Sequence, residues 1–134
     1  MPDVPVIING GIGRIAKAAA HLARVDGVML GRAAYQEPWR LLAVDPELFG
    51  EAAPHASMRE VFEAMRPYIE RELARGTRLH AMTRHFVGAF HGVPGARAFR
   101  RHLAEHGVRP GAGADVLRDA IARVEDASIA SVAA

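Results

Sequence analysis

Cysteine is absent from this chain of 134 residues, which excludes a disulfide framework and thiolate metal sites. Long apolar runs are absent too: none reaches the ~18 residues that a membrane span needs, and the amino terminus lacks a signal-peptide pattern. Lysine is nearly absent, since arginine supplies 16 of the 17 basic residues, a bias that we attribute to base composition before function. These absences predict a cytoplasmic protein with no membrane or metal partner.

Recognisable catalytic sets are also lacking. The sequence has no G-x-S-x-G motif, no P-loop and no cysteine nucleophile. Residues 102–106 (HLAEH) do match the H-x-x-E-H pattern of zinc peptidases. We interpret this match as coincidence, because Gly107 should end the helix and no clear third ligand follows. The sequence therefore predicts no catalytic residue and no metal ligand.

The amino-terminal part has the pattern of a strand, a helix and a second strand. Residues 5–12 (PVIINGGI) begin with a β-branched run that predicts a buried strand, residues 12–23 have helical spacing, and residues 28–30 form a second short run. A hairpin at Asn9-Gly10 is the alternative. We favour a βαβ unit with parallel strands, because the following segment has a helical rather than an alternating period.

Glycine follows both predicted strands and indicates an anion site. Gly10 and Gly11 follow the first strand, and Gly31 and Arg32 follow the second. Glycine lets a backbone approach a ligand closely, a helix starting near Gly13 adds free N–H groups, and arginine adds a forked cation. Phosphate is the predicted ligand, and in (β/α)8 barrels such sites often lie on the loops after strands 7 and 8.

The remainder reads as short connections followed by helices. We expect a loop over 33–38, a short helix near 39–44 interrupted by Asp45-Pro46, closure at Gly50 and a linker over 51–56. A capping-box pattern at residues 57–60 then opens a helical domain, residues 57–134, whose last residues, 127–134, should fray. Four helices are predicted, ending near residues 75, 92, 107 and 124, with short connections that suggest an antiparallel bundle.

Positive charge is concentrated in one segment. Residues 75–109 hold seven arginines and one acid, a balance of +6, whereas residues 1–54 have a balance of −1. At about 100° per residue, three arginines of the third helix fall on one side, with Phe99 and Leu103 on the other. A polyanion partner and an ordinary solvated face are both compatible with this pattern. The three arginines are Arg97, Arg100 and Arg101.

Two groups of motifs resemble one family. Residues 8–12 (INGGI) and 26–39 (DGVMLGRAAYQEPW) resemble the end of the flavin barrel of the tRNA-dihydrouridine synthases. Residues 83–85 (TRH), 90–92 (FHG) and 94–101 (PGARAFRR) are similar to the helical domain of the A-type bacterial branch. The resemblance implies an α/β then all-α chain: the last βαβ portion of a flavin TIM barrel in residues 1–50, followed by a four-helix bundle domain in 57–134.

The resemblance also implies a function. It implies an FMN- and NADPH-dependent enzyme, monomeric in its full-length form, that reduces uridine to dihydrouridine in the tRNA D-loop. It implies that tRNA is held by arginines at the positions of Arg97 and Arg100, and Arg101 lies on the same face. The FMN phosphate would be held by Asn9, Gly10, Gly11, Gly31 and Arg32.

The same resemblance leads us to expect a C-terminal fragment. About six barrel strands, most flavin-ring contacts and the family's acid cysteine would lie in a missing N-terminal portion, so the isolated chain should be inactive. The alternative that we keep open is a non-catalytic, detached helical module that binds RNA.

Overall fold

Residues 3–124 are described by a computed structural model of the chain, and the predicted fraying of 127–134 lies outside them. Two short strands, β1 (Ile7–Asn9) and β2 (Gly27–Met29), pair in parallel, and α1 (Ile15–Leu22) crosses between them. The predicted βαβ unit is confirmed. The prediction of a buried strand is wrong: Ile7 is 66% exposed. Only two strands pair within the described residues, so much of the β1 surface has no covering layer.

The connection after β2 is more helical than the sequence predicts. Instead of a loop over 33–38, α2 (Arg32–Gln36) forms, and a 3₁₀ helix follows over Pro38–Ala43. Asp45-Pro46, which was predicted to interrupt the short helix, opens a π-helical turn, Asp45–Phe49. Proline is tolerated there because the first turn of a helix needs no backbone N–H from it. Gly50 closes the region in a left-handed conformation, with φ 65°, as expected.

The longest helix is α3 (Met58–Ala74), and its start has the predicted cap. The Glu60 backbone N–H donates to Ser57 Oγ at 3.2 Å, while the Glu60 carboxylate accepts from the Ala56 N–H at 2.7 Å. The cap therefore satisfies two amides at the start of the helix. No helix or strand is assigned over residues 51–56, and their role as an interdomain linker stays a prediction.

Three further helices complete the helical part: α4 (Leu79–Thr83), α5 (Ala96–His106) and α6 (Ala114–Ile121). The second predicted helix is wrong in length, because it ends at Thr83 rather than near Gly92. Beyond Thr83 the chain folds into turns, in which Gly88 packs directly against the backbone of Gln36. With α4 reduced to five residues, the predicted four-helix bundle is not confirmed.

One hydrophobic core joins these helices. Its centre is an aromatic cluster in which Phe90 and Phe99 meet edge to face at 4.9 Å between ring centroids, with Phe62 at 5.9 Å from Phe90. Phe99 is fully buried and Leu103 is 4% exposed, as the helical period predicts. The core therefore fixes which face of α5 points outward. It comprises Phe62, Ile69, Leu79, Met82, Ala89, Phe90, Ala96, Phe99, Leu103, Leu117, Ala120, Ile121 and Val124.

Candidate functional site

The two predicted glycine loops leave the sheet at the same edge. Asn9 is in register with Met29 in the parallel pair, so the chain continues from both strands at their carboxyl ends. Gly10 and Gly11 have φ values of 104° and 66°, a region that residues with a Cβ rarely adopt. The structure therefore brings Asn9, Gly10 and Gly11 to the same edge as Gly31 and Arg32.

Lys17 is a member of this site that the sequence analysis missed. Its Nζ donates to the Gly11 carbonyl oxygen at 2.8 Å, which adds a second cation to the loop and ties its backbone to α1. Arg32 is exposed, and its side chain makes no hydrogen bond or ion pair within residues 3–124. The sequence does set Lys17 apart, because it is the only lysine among 17 basic residues.

These donors fit the phosphate end of FMN. Backbone amides of a left-handed glycine pair, an ammonium and a free guanidinium all favour an anion, and no carboxylate hydrogen-bonds to Lys17 or Arg32 within residues 3–124. A Cβ built at Gly10 would meet no atom within 4 Å, so the loop has room for a ligand on that side. The assignment of these residues to FMN itself stays a prediction.

The second predicted set lies on α5. Arg97, Arg100 and Arg101 are all exposed, on the helix whose other face is buried through Phe99 and Leu103. Within residues 3–124 none of the three side chains makes a hydrogen bond or an ion pair. Charge on this face is thus uncompensated and available, as an anionic ligand requires.

Neighbouring arginines show the opposite behaviour. Arg75 pairs with Glu72 at 2.9 Å, and Arg66 pairs with Glu63 at 3.2 Å, both on α3. Arg109 donates to the Glu105 carbonyl oxygen at 3.1 Å. Three neighbouring arginines are therefore engaged, but Arg78 of the basic segment, like the α5 set, has no side-chain partner within residues 3–124.

A junction joins α2 to the turns after α4. The Tyr35 hydroxyl lies 2.8 Å from His85 Nδ1, and Arg84 Nε donates to His85 Nε2 at 3.2 Å. Because Nε2 accepts, a neutral His85 carries its proton on Nδ1 and donates to the Tyr35 oxygen. A Cβ on Gly88 would lie 2.1 Å from the Gln36 carbonyl oxygen, so the two backbones touch. Sequence reasoning did not find this contact.

An open groove runs along the junction, and we call it the junction groove. It brings Arg100 of α5 beside Tyr35 of α2, although the sequence placed them in separate domains. Its lining consists of Tyr35, Gln36, His85, Val87, Gly88, His91 and Arg100.

Comparison with known proteins identifies the family. The sequence model of the family described as dihydrouridine synthase (Dus) matches residues 1–125. The chain belongs to the dihydrouridine synthase family. The predicted resemblance is thereby confirmed, and the family implies that the parallel pair is part of a TIM barrel.

Several relatives of this chain are named tRNA-dihydrouridine(20/20a) synthase. The protein of Escherichia coli strain K12 is 50% identical over 125 residues, 93% of this chain and 36% of the relative. The Vibrio parahaemolyticus protein is 49% identical over 119 residues, 89% and 36% respectively. The Yersinia pestis protein is 47% identical over 131 residues, which is 98% of this chain and 38% of the relative. The chain thus spans just over a third of the length of these relatives.

The two histidines of the H-x-x-E-H match lie one turn apart on α5. The His102 and His106 rings lie 4.4 Å apart on α5, but within residues 3–124 no group of three or more His, Cys, Asp or Glu side chains could hold an ion. Burial lowers the pKa of His102 from its ordinary value, and the nearby Arg123 and His106 lower it further. His106 therefore disfavours the charged form of His102.

Over the described part of the chain, no helix combines the length and the apolar character required to cross a bilayer.

Proposed function

We propose that this chain supplies the FMN-phosphate loops and a tRNA-binding face of a flavin-dependent tRNA-dihydrouridine synthase, which reduces uridine in the D-loop with NADPH as reductant. Family membership and the names of the relatives support the reaction class. FMN, when bound, supplies the hydride chemistry. The chain's own part is to bind and orient, and the cytoplasm is where we expect it to act.

The observation that carries the proposal is the unpaired arginine face of α5. Arg97, Arg100 and Arg101 are exposed and unpartnered within residues 3–124, while ion pairs engage Arg66 and Arg75 on α3. Guanidinium groups bind phosphate by paired donors and stack on bases. An RNA polyanion is the ligand that this face suits best.

The phosphate loops form the second part of the proposal. Asn9, Gly10 and Gly11 on one strand end, with Gly31 and Arg32 on the other, would hold the FMN phosphate, and Lys17 would brace the loop through its bond to Gly11. We assign no catalytic residue to this chain. It contains no cysteine, so it does not itself provide the acid that the family resemblance implies.

The test measures tRNA affinity against salt concentration for the Arg97→Ala/Arg100→Ala variant. Each neutralised phosphate releases condensed counterions, so each lost contact should lower the slope of log affinity against log salt by about 1. We expect weaker binding and a slope reduced by about 2. Circular dichroism should be unchanged, because both side chains face solvent and alanine favours helix.

The matched control is Arg66→Ala/Arg75→Ala, which removes the same charge from arginines that are already paired. We expect this variant to keep a slope close to that of the unmodified chain. Equal slopes for the two double variants would show that only net charge matters and would overturn the assignment of the α5 face.

A further inference from the structure

Tyr35 is exposed and yet held in place. The residue is 57% exposed, but its hydroxyl is hydrogen-bonded to His85 Nδ1 at 2.8 Å. The two rings meet edge to face, with 5.9 Å between their centroids. His85 is itself fixed through Nε2, which accepts from Arg84 Nε. An exposed aromatic side chain ordinarily gains little from being fixed, because ordering it costs rotamer entropy. Here the Tyr35–His85 hydrogen bond holds the ring at the edge of the junction groove, and the Arg84–His85 hydrogen bond holds the histidine.

The charge around the ring suits a nucleotide. Arg100, unpaired within the described residues, and His91 line the same groove. The nearest acid on α2's carboxyl end, Glu37, is bound by Arg40 at 2.7 Å, and this bond lowers the pKa of the Glu37 carboxyl. The negative charge of Glu37 is therefore paired with Arg40.

We propose that the junction groove binds one unpaired nucleotide of the RNA substrate, with its base stacked on the Tyr35 ring and its phosphate beside Arg100. This rests on the proposed function only in taking RNA as the ligand. Bases of single-stranded RNA stack on aromatic side chains and on guanidinium planes, whereas bases inside a duplex are already stacked on one another. The His85 hydrogen bond makes Tyr35 a pre-ordered platform and lowers the entropy lost on binding.

Two probes test the proposal on the full 134-residue chain: a short single-stranded RNA carrying 2-aminopurine, and a blunt RNA duplex. Tyr35→Ala should bind the single-stranded RNA about fivefold to a hundredfold more weakly, because one stacked base is lost. Binding of this variant should no longer change the 2-aminopurine fluorescence. Duplex binding should stay within about twofold, because a duplex offers no unpaired base. Tyr35→Phe keeps the ring and should lose far less single-strand affinity.

Tyr68 provides the matched control. It is the other tyrosine of the chain, it is 47% exposed on α3, and its hydroxyl makes no hydrogen bond within residues 3–124. Tyr68→Ala should bind both probes as the unmodified chain does. Tyr35→Leu, which retains bulk without an aromatic face, should behave like Tyr35→Ala and guards against a folding defect in the smaller variant.

The outcomes separate this inference from the proposed function. Unchanged single-strand affinity in Tyr35→Ala, together with weakened binding of both probes by Arg97→Ala/Arg100→Ala, would overturn the groove and leave the α5 face standing. Equal losses in Tyr35→Ala and Tyr68→Ala would also overturn it, since stacking would then have no specific place. If neither Tyr35→Ala nor the arginine variant changed any affinity, both proposals would be wrong.

Discussion

Gly88→Ala should weaken the attachment of the helical part to α2. A Cβ at this position would lie 2.1 Å from the Gln36 carbonyl oxygen and 2.8 Å from its carbon, well inside the 3.0 Å that real contacts respect. The obstructing atoms belong to the backbone and cannot rotate away, so the two segments must separate by about 1 Å. Overpacking of this kind costs about 1–3 kcal/mol. Losing the exposed Tyr35–His85 hydrogen bond adds up to about 1 kcal/mol.

We expect a loss of about 1–4 kcal/mol in unfolding free energy, measured by urea unfolding with circular dichroism. Trp39 follows α2 directly and is the only tryptophan, so its fluorescence reports on the same region. Limited proteolysis within residues 51–56 should become faster, because separation of the two parts exposes the connection. The His85 ring resonances should shift as the ring loses its partner.

Gly13→Ala is the control, since its φ is not in the left-handed region and a Cβ there would meet no atom within 4 Å. That variant should be neutral or stabilised by up to about 1 kcal/mol. If Gly88→Ala matched Gly13→Ala in stability, proteolysis and His85 resonances, the close approach of Gly88 to Gln36 would be refuted.

Two further variants test the core and its electrostatics. Phe99→Ala should cost about 3–5 kcal/mol in urea unfolding, because the ring is fully buried, whereas Phe49→Ala, at a position 67% exposed, should stay within about 0.5 kcal/mol. The unfolding free energy should fall as pH drops below 6.5, because burial, Arg123 and His106 lower the pKa of His102 in the folded chain, while the unfolded chain takes up the proton at its ordinary value. Above that pH this contribution is constant. His102→Gln should abolish this fall in unfolding free energy below pH 6.5. An equal fall in the variant and in the unmodified chain would exclude His102 as its source.

Local periodicity predicted the parts of the fold that depend on neighbours in sequence. The alternation of Arg97 and Arg100 with Phe99 follows from the helical repeat alone, and the structure confirms it. The Ser57–Glu60 cap is likewise a contact between residues three apart. The glycines after the first strand, predicted only as a close-approach loop, prove to be left-handed, a conformation that few other residues adopt.

Contacts between distant residues were not predictable in this way. The helix after Leu79 was predicted to reach Gly92 because Phe86 and Phe90 continue its apolar repeat. Phe90 does lie in the core cluster and Phe86 packs against it, but both do so through turns rather than a helix. Within those turns Gly88 packs on Gln36, a contact that no pattern within either segment encodes.

The junction changes how the predicted division at residues 51–56 should be understood. Composition separates a glycine-rich βαβ part from an arginine-rich helical part, and the division into domains stays a prediction. Yet the Tyr35–His85 hydrogen bond joins residues 50 apart in sequence across that division. Arg32 and Tyr35 lie about one turn apart on α2, so one short helix carries both an arginine of the predicted phosphate site and the aromatic ring of the junction groove. Two contacts of α2, the Tyr35–His85 hydrogen bond and the close approach of Gln36 to Gly88, join that helix to the helical part across the predicted division.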